Sequence, residues 1–360
     1  MSDCADGIDT EPLPPLYERW VGELLGGGVP RETEATCSDC AMCSPSAPEG
    51  DATHFHPNVK CCSHVPVLAN YLVGRILQDH GAVAGRASTL ARIRARAAVT
   101  PLGLGRPRAY SALSREGGPE SFGRSRALLC PHYQRESDDC GIWKHRDAVC
   151  STWFCKHVRG AVGFTFWSSA LRPLLSAVEI ALARWCVVEI GVGERALARL
   201  FAPPSPERAG REIDGVVDEE AYGAVWGDHR GREEELFVDC ARRVEPLRWS
   251  DVLTIGGSEL RARAEVARNA YRRLLSTDLP SHVRAAPIRI LEGDRDRVHL
   301  ATYTEFDSID VPRALLDVLP RFDGRAMAEV VEELARDGTE IDAEMLRTLV
   351  DFGILETPRK

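Results

Sequence analysis

Two tight groups of cysteines constrain this chain more than any other feature of its sequence. They hold nine of the twelve cysteines, the first within residues 37–62 and the second within residues 130–155. The first group reads C-x2-C-x2-C followed by an adjacent C-C pair, and the second leaves nine, nine and four residues between its members. Thiolates two residues apart can turn onto one ion through a short loop, so the pattern predicts a metal or iron–sulfur protein. The predicted ligands are Cys37, Cys40, Cys43, Cys61, Cys62, Cys130, Cys140, Cys150 and Cys155.

Disulfide bonds are the main alternative for these cysteines. A disulfide framework suits a small secreted chain, whereas this one has 360 residues and an acidic N-terminal segment without the apolar core of a secretory signal. We therefore expect a cytoplasmic protein, and in a reducing compartment clustered cysteines indicate metal or redox chemistry. The three remaining cysteines, Cys4, Cys186 and Cys240, are isolated in the sequence, and we expect them to be buried and inert.

The identity of the metal is less constrained than its presence. Zinc and iron–sulfur clusters both accept tetrahedral sulfur donors. The dipeptide Cys130-Pro131 also ends ferredoxin motifs, which favours an iron–sulfur cluster and leaves zinc as the alternative. Several histidines flank the cysteines, and His132, two residues after Cys130, is the further candidate ligand that we favour. The others are His54, His56, His64, His145 and His157.

Composition excludes several other classes of protein. Hydrophobic residues make up 44% and charged residues 28% of the chain, which is typical of a globular protein. The longest apolar stretch, residues 162–190, contains Arg172, Glu179 and Arg184, so no membrane span is predicted. Nine arginines lie within residues 84–126, but few aromatic residues are interleaved with them. A solvated helix face, or a patch docked on the acidic C-terminal residues, is favoured over a nucleic acid site.

Periodicity predicts a mainly α fold with a small α+β part at the C-terminus. Helical patterns fall at residues 17–25, 65–79 and 90–98. A long one at 161–199 has a predicted kink or break at Pro173 and a stop near residues 191–193. The predicted organisation is a partly disordered leader, a cysteine-cluster module, a helical region and a C-terminal domain. Their boundaries are residues 1–34, 35–160, 161–280 and 285–360.

The last 75 residues form a recognisable unit. Two alternating segments around Gly293-Asp294 predict a β-hairpin, and three amphipathic segments follow it. The run LLDVLPRFDGRAMAEVVEELARDG, with LRTLVDFGILE after it, resembles the peptide-binding winged-helix modules of the PqqD type. This resemblance implies a winged-helix-like domain whose hairpin edge binds a protein or peptide partner. Six apolar residues are predicted to form its core, namely Leu315, Leu319, Val330, Leu334, Leu346 and Leu349.

The cysteine module itself has a more specific resemblance. The segments CSDC, CC, CPHY, CGIW with Arg146, and CSTWFCK resemble, in this order, the YkgJ-type cysteine-cluster family, a zinc- or iron-chelating domain. The resemblance covers residues 35–160 and implies eight ligands, which are all the predicted ones except Cys43. In this chain seventeen residues separate the C-C pair from Cys43, a longer spacing than the family shows. Flagellin lysine methylases look similar in the same module.

Two functional hypotheses follow. The first is a metal-binding protein with a structural or redox-active centre that acts with a protein or peptide partner. The second is an enzyme that modifies a protein or peptide, with the C-terminal domain presenting the substrate; no cofactor pocket or catalytic group supports it in the sequence. Because the second cysteine group lacks a C-x2-C, we also expect at least one centre to take sulfur from both groups.

Overall fold

The computed structural model describes residues 13–32, 40–43, 54–202, 219–304 and 306–358. Within these ranges the chain is mainly helical with small sheets, which confirms the predicted fold class at that level. Cys4 and Cys37 lie outside the described residues, as do residues 1–12 and 33–34 of the predicted leader.

The described part of the chain contains fourteen α-helices. They are α1 (Pro15–Leu25), α2 (Asn70–Gln78), α3 (Val83–Arg94), α4 (Arg108–Gly117), α5 (Ala148–Ser151), α6 (Gly160–Phe164), α7 (Arg172–Glu189), α8 (Glu194–Leu200), α9 (Glu219–Trp226), α10 (Glu233–Val244), α11 (Trp249–Leu275), α12 (Leu315–Val318), α13 (Met327–Arg336) and α14 (Ala343–Asp351). Residues Thr165–Leu171, between α6 and α7, are π-helical.

The strands are short and all of their pairings are antiparallel. They are β1 (Leu68–Ala69), β2 (Val99–Thr100), β3 (Gly103–Leu104), β4 (Tyr133–Gln134), β5 (Asp139–Cys140), β6 (His282–Ala285), β7 (Arg289–Gly293), β8 (Arg297–Ala301), β9 (Ile309–Pro312), β10 (Asp323–Ala326) and β11 (Leu355–Glu356). They form four sheets with the orders β1-β3-β2, β4-β5, β10-β6-β11 and β7-β8-β9.

The chain divides into two compact units, each built from separate stretches of sequence. Unit 1 contains residues up to Arg31, residues 36–153 and residues 171–265. Unit 2 contains residues 32–35, 154–170 and 266–360. The first two sheets belong to unit 1 and the other two to unit 2.

The core of unit 1 is organised around α2. Tyr71, Leu72 and Ile76 on its apolar face are almost fully buried. On another side, α10 approaches so closely that a Cβ on Gly74 would lie 1.9 Å from the carbonyl oxygen of Phe237. Asn70 anchors the first turn of α2, because its side-chain amide donates to the carbonyl oxygens of Pro101 and Ala183, at 3.0 Å each. A polar residue is thus satisfied inside this core.

The core of unit 2 contains all six apolar residues predicted for it, each at most 7% exposed. They pack with Val283 of β6, Val298 and Leu300 of β8 and Phe322. The predicted hairpin is present as β7 and β8, which pair from Arg289 with Ala301 to Gly293 with Val298.

Candidate metal centre

Unit 1 contains a cavity whose wall is rich in sulfur. It encloses about 70 Å³ and is lined by five of the nine predicted ligands, together with the imidazole of His64. Two of these cysteines belong to the first sequence group and three to the second. The thiols are those of Cys61, Cys62, Cys130, Cys140 and Cys150. The fold therefore brings both cysteine groups to one place.

The first pair of thiols lies on a single 3-10 turn, Lys60–Ser63. Lys60 has a φ of 51°, a left-handed conformation that sets the entry into this turn. The carbonyl oxygen of Cys62 accepts the backbone N–H of Cys130 at 2.7 Å. This hydrogen bond joins the two cysteine groups directly through the backbone, although 67 residues separate them in the sequence.

The second group reaches the cavity from a hairpin and from a short helix. β4 and β5 pair Tyr133 with Cys140, and the N–H of Gly141 donates to the carbonyl oxygen of His132 at 2.8 Å. Cys150 lies in α5, where Asp147 is the N-cap and accepts the N–H of Cys150 at 2.9 Å. An aspartate cap fixes the first turn of a helix, so the position of Cys150 depends on Asp147.

Two of the cavity-lining residues, His64 and Cys150, form a group of nitrogen, oxygen and sulfur donors with Asp147, which is not itself a lining residue. Ligand atoms of His64, Asp147 and Cys150 all lie within 4.8 Å of one another. Asp147 also accepts the N–H of Val67 at 3.3 Å, and the Nε2 atom of His64 lies 3.1 Å from Nη2 of Arg106. Both the imidazole and the carboxylate are therefore held in place by further contacts, as is usual for metal ligands.

The electrostatics of the thiols fit a metal centre better than a nucleophile. Burial raises the pKa of Cys130 to about 12 and raises that of Cys150 well above its usual range. Burial also lowers the pKa of His64, which keeps its imidazole in the neutral form that binds metals. A catalytic cysteine needs a lowered pKa, whereas a bound cation deprotonates a buried thiol. The donor set therefore fits a metal ion or cluster.

The rest of the cavity wall is apolar and aromatic. It includes Phe122, Ile142, Trp143, Val149 and Trp153. The guanidinium carbon of Arg146 lies 3.4 Å from the centroid of the Trp143 ring. Such a lining limits the access of water and places positive charge beside the thiols, two properties that control metal–sulfur centres.

Two predicted ligands form a pair of their own. The N–H of Cys43 donates to the carbonyl oxygen of Cys40 at 2.9 Å. Burial, with the neighbouring Cys40 thiol as the next cause, raises the pKa of Cys43 to about 12, and Lys60 lowers it. Neither cysteine is among the residues that line the cavity. The third member of this motif, Cys37, lies outside the described residues.

Cys155 belongs to unit 2, where it is buried. The backbone after it is held by buried carboxylates of the same unit. The N–H of His157 donates to Asp307 at 3.2 Å, and that of Val158 donates to Glu32 at 2.7 Å. Cys155 therefore lies at the start of a firmly anchored segment.

His132, the histidine favoured from the sequence, is not among the cavity-lining residues. Its Nδ1 atom lies 2.8 Å from Oγ of Ser88, and its backbone N–H donates to the sulfur of Cys130 at 3.5 Å. Burial, with Arg92 as a second cause, lowers its pKa to about 3. His132 thus orients Cys130, and His64 is the histidine that reaches the cavity.

Sequence reasoning missed Asp147, although a usable signal was present. The spacing D-x-x-C places an N-cap residue three positions before Cys150. The two described isolated cysteines behave as expected, since Cys186 and Cys240 are both fully buried and the sulfur of Cys186 lies 3.9 Å from the carbonyl oxygen of Cys240. The ten described cysteines are present as thiols and not as disulfides.

No protein-family model matches this chain, and the searches found no similar curated protein and no similar solved structure. The YkgJ-type and PqqD-type resemblances therefore stay predictions. Among the helices of the described ranges, none combines the length and the apolar character needed to cross a membrane.

Proposed function

We propose that this chain is a metal-binding protein of the cysteine-cluster type, and that its centre occupies the cavity of unit 1. The observation that carries the proposal is that five thiols and one imidazole, from both cysteine groups, line a single cavity. The proposed ligands are drawn from Cys61, Cys62, Cys130, Cys140, Cys150 and His64. The remaining predicted ligands of unit 1, Cys37, Cys40 and Cys43, would complete this centre or hold a second one, and Cys155 of unit 2 stays a predicted ligand.

An iron–sulfur cluster is the proposed cofactor, with zinc as the alternative. The cavity volume of about 70 Å³ is several times the roughly 10–15 Å³ that holds one water molecule, so it has room for more than a single ion. The apolar lining favours a centre shielded from water, a property that sets the potential of an iron–sulfur cluster. When bound, such a cluster supplies one-electron transfer or a structural crosslink.

The residues around the cavity have separable roles in this proposal. The carboxylate of Asp147 accepts the backbone N–H of Cys150, and the backbone N–H of His132 donates to the sulfur of Cys130. The hydrogen bond from Cys130 to Cys62 fixes the distance between the two groups. Aromatic residues keep water away from the sulfur atoms.

The experiment is anaerobic purification of the full chain, followed by analysis of iron, zinc and acid-labile sulfide. Brown protein with iron and sulfide supports a cluster, and colourless protein with zinc supports the alternative. Cys186→Ala is the matched control, because that buried thiol of α7 is not among the cavity-lining residues. A wild-type chain without bound metal, purified from cells supplied with both metals, would contradict the proposal.

The proposed domain layout is a cysteine module, a helical region and a winged-helix-like C-terminal domain in a cytoplasmic protein. The layout of the tail is supported by the elements of unit 2, in which the two sheets and α12–α14 share one core. We further propose a protein or peptide partner for this tail. β7 is the outer strand of its sheet, it is exposed along its whole length, and Ile290 and Leu291 are 47% and 45% exposed. An exposed strand edge with apolar side chains is suited to binding an extended peptide.

Selection of random peptides displayed on phage against the full chain tests the partner proposal. The test variant is Ile290→Asp, which changes an exposed side chain and leaves the core of unit 2 intact. We expect peptides that bind the wild type and lose at least about tenfold in affinity for the variant, since an apolar contact is replaced by a charge. Equal binding to both chains would contradict the proposed edge.

A further inference from the structure

Helix α3 packs tightly against the loop that carries Cys130 and Cys140. A Cβ on Gly85 would lie 2.1 Å from the carbonyl oxygen of Gly141, so the two backbones are nearly in contact. One turn further along the helix, Ser88 contacts His132 at 2.8 Å. The next turn carries Arg92, whose side chain therefore lies on the face of α3 that meets the second cysteine group.

Arg92 is a buried cation with unsatisfied donors. Only 5% of the residue is exposed. Its Nη2 atom donates to the carbonyl oxygen of Gly105 at 2.5 Å and, more weakly, to that of Ala97 at 3.4 Å. Its Nε and Nη1 atoms are buried without a hydrogen-bond partner among the described residues. A buried charge with open donors is costly unless an anion compensates it.

Cys130 lies on the loop against which α3 packs, and its thiol interacts electrostatically with this charge. Burial lowers the pKa of Arg92 to about 10, and the thiol of Cys130 acts in the opposite direction. Arg92 in turn lowers the pKa of Cys130, although burial dominates. A neutral thiol compensates a guanidinium poorly, but a metal-bound thiolate carries the required negative charge.

We infer that Arg92 is a positioning residue of the proposed metal centre, where its buried guanidinium compensates the charge of the Cys130 thiolate. This inference rests on the proposed function. It also explains why a cation lies on a buried helix face beside a cysteine loop. Removal of such a partner from beside a ligand weakens metal binding by about 10- to 100-fold.

The experiment compares the full-length wild type with R92M, R92K and R94M, each purified anaerobically with its own metal. Methionine removes the charge and keeps much of the volume, lysine keeps the charge, and Arg94 is an exposed arginine on the same helix. The first measurement is the concentration of a competing chelator that removes half of the metal. We expect R92M to release its metal at about 10- to 100-fold lower chelator concentration, and R92K and R94M to stay close to the wild type.

The second measurement is the melting temperature of each chain with its metal and after the metal has been removed. In the wild type, the metal-free form leaves the Arg92 cation unpartnered and the metal-bound thiolate compensates it. R92M has no cation in either form, so we expect the metal to raise its melting temperature by less. An R92M chain that does not fold, or whose two forms are destabilised equally, would show that Arg92 serves the fold and would overturn the inference. Equal metal retention by R92M and the wild type, or equal loss in R92M and R92K, would overturn it too. Wild-type protein that binds no metal would instead contradict the proposed function, and this inference would fail with it.

Discussion

The carboxylate of Glu179 in α7 accepts the backbone N–H of Ala148 at 2.6 Å, and the same oxygen accepts the hydroxyl of Tyr17. All three residues are buried in unit 1. Ala148 is the first residue of α5, the helix that carries Cys150. Glu179 therefore ties α1 and α7 to the segment that presents a proposed ligand.

The burial of the Glu179 carboxylate predicts an unusual pH dependence of stability. Burial, with Asp147 as the next cause, raises the pKa of Glu179 well above 4.5, and Tyr17 and Ala148 only partly oppose it. Because the unfolded chain loses this proton first, the contribution of Glu179 is present below about pH 4.5 and is lost as the pH rises towards the folded-state pKa. Within that pH range, the free energy of unfolding falls by up to about 1.4 kcal/mol per pH unit.

Glu179→Gln tests this dependence, because an amide oxygen can accept both hydrogen bonds and carries no charge. We expect the free energy of unfolding to fall less in the variant than in the wild type between about pH 5 and about pH 8. Native proteins are generally most stable in this range. Urea denaturation at the two pH values measures the difference. Parallel decreases in the two chains would show that Glu179 does not titrate in this window.

The close approach of α3 to the cysteine hairpin predicts that Gly85→Ala is strongly destabilising. A Cβ placed 2.1 Å from the oxygen of Gly141 forces the two backbones apart. Overpacking of this kind costs about 1–3 kcal/mol or more, and the displaced hairpin carries Cys140. Gly193→Ala is the control, because no atom lies within 4 Å of its added Cβ and its φ of −59° suits alanine. A similar urea midpoint for both variants would contradict the observed packing.

The two histidines next to the cysteines should respond differently to mutation. We expect His64→Ala to weaken metal retention by at least about tenfold, since its ring lines the cavity. His132→Ala removes the contact with Ser88 and should cost about 1–3 kcal/mol of stability while most of the metal is kept. Elemental analysis together with thermal melting separates these outcomes, and the reverse pattern would make His132 the ligand.

Substitution of the last two predicted ligands tests their assignment. We expect Cys150→Ser to lower the metal content and the melting temperature of unit 1 together, because the binding free energy of a closed thiolate site, on the order of 10 kcal/mol, is also folding free energy. We expect Cys155→Ser to lower the metal content as well. Cys240→Ser, at a buried thiol outside the cavity lining, is the control that should keep its metal. Full metal occupancy in the Cys150 variant would refute the assignment.

Local patterns in the sequence were sufficient for some elements and insufficient for others. The first helix, the β7–β8 hairpin and the apolar residues of the C-terminal core were all predictable, because each depends on neighbouring residues. In the helical stretch predicted for residues 161–199, the expected stop near residues 191–193 is present, since α7 ends at Glu189 and α8 begins at Glu194. Near Pro173 the structure has a π-helical segment, residues 165–171, which periodicity did not predict, and Pro173 itself lies in the first turn of α7.

Local sequence patterns also predicted only part of the candidate site. Spacing alone indicated which cysteines could bind metal, since the chemistry of a C-x2-C motif is local. The choice of His64 over His132 depends on which ring faces the cavity, a property of packing between distant segments. Arg92 was one arginine among nine in a basic stretch, and only its burial distinguishes it from Arg94.

The interleaved path of the chain has a consequence for how the protein is made. All five cavity thiols have been synthesised by residue 150, but α7 and α10 of the same unit end only at residues 189 and 244. At a synthesis rate of about 5–20 residues per second, this gap lasts roughly 5–20 s. For that time the nascent chain carries its thiols on an incomplete fold, open to oxidation and to capture of the wrong metal. Under the proposed function, the metal would be delivered near the end of translation, or the thiols would be protected until then.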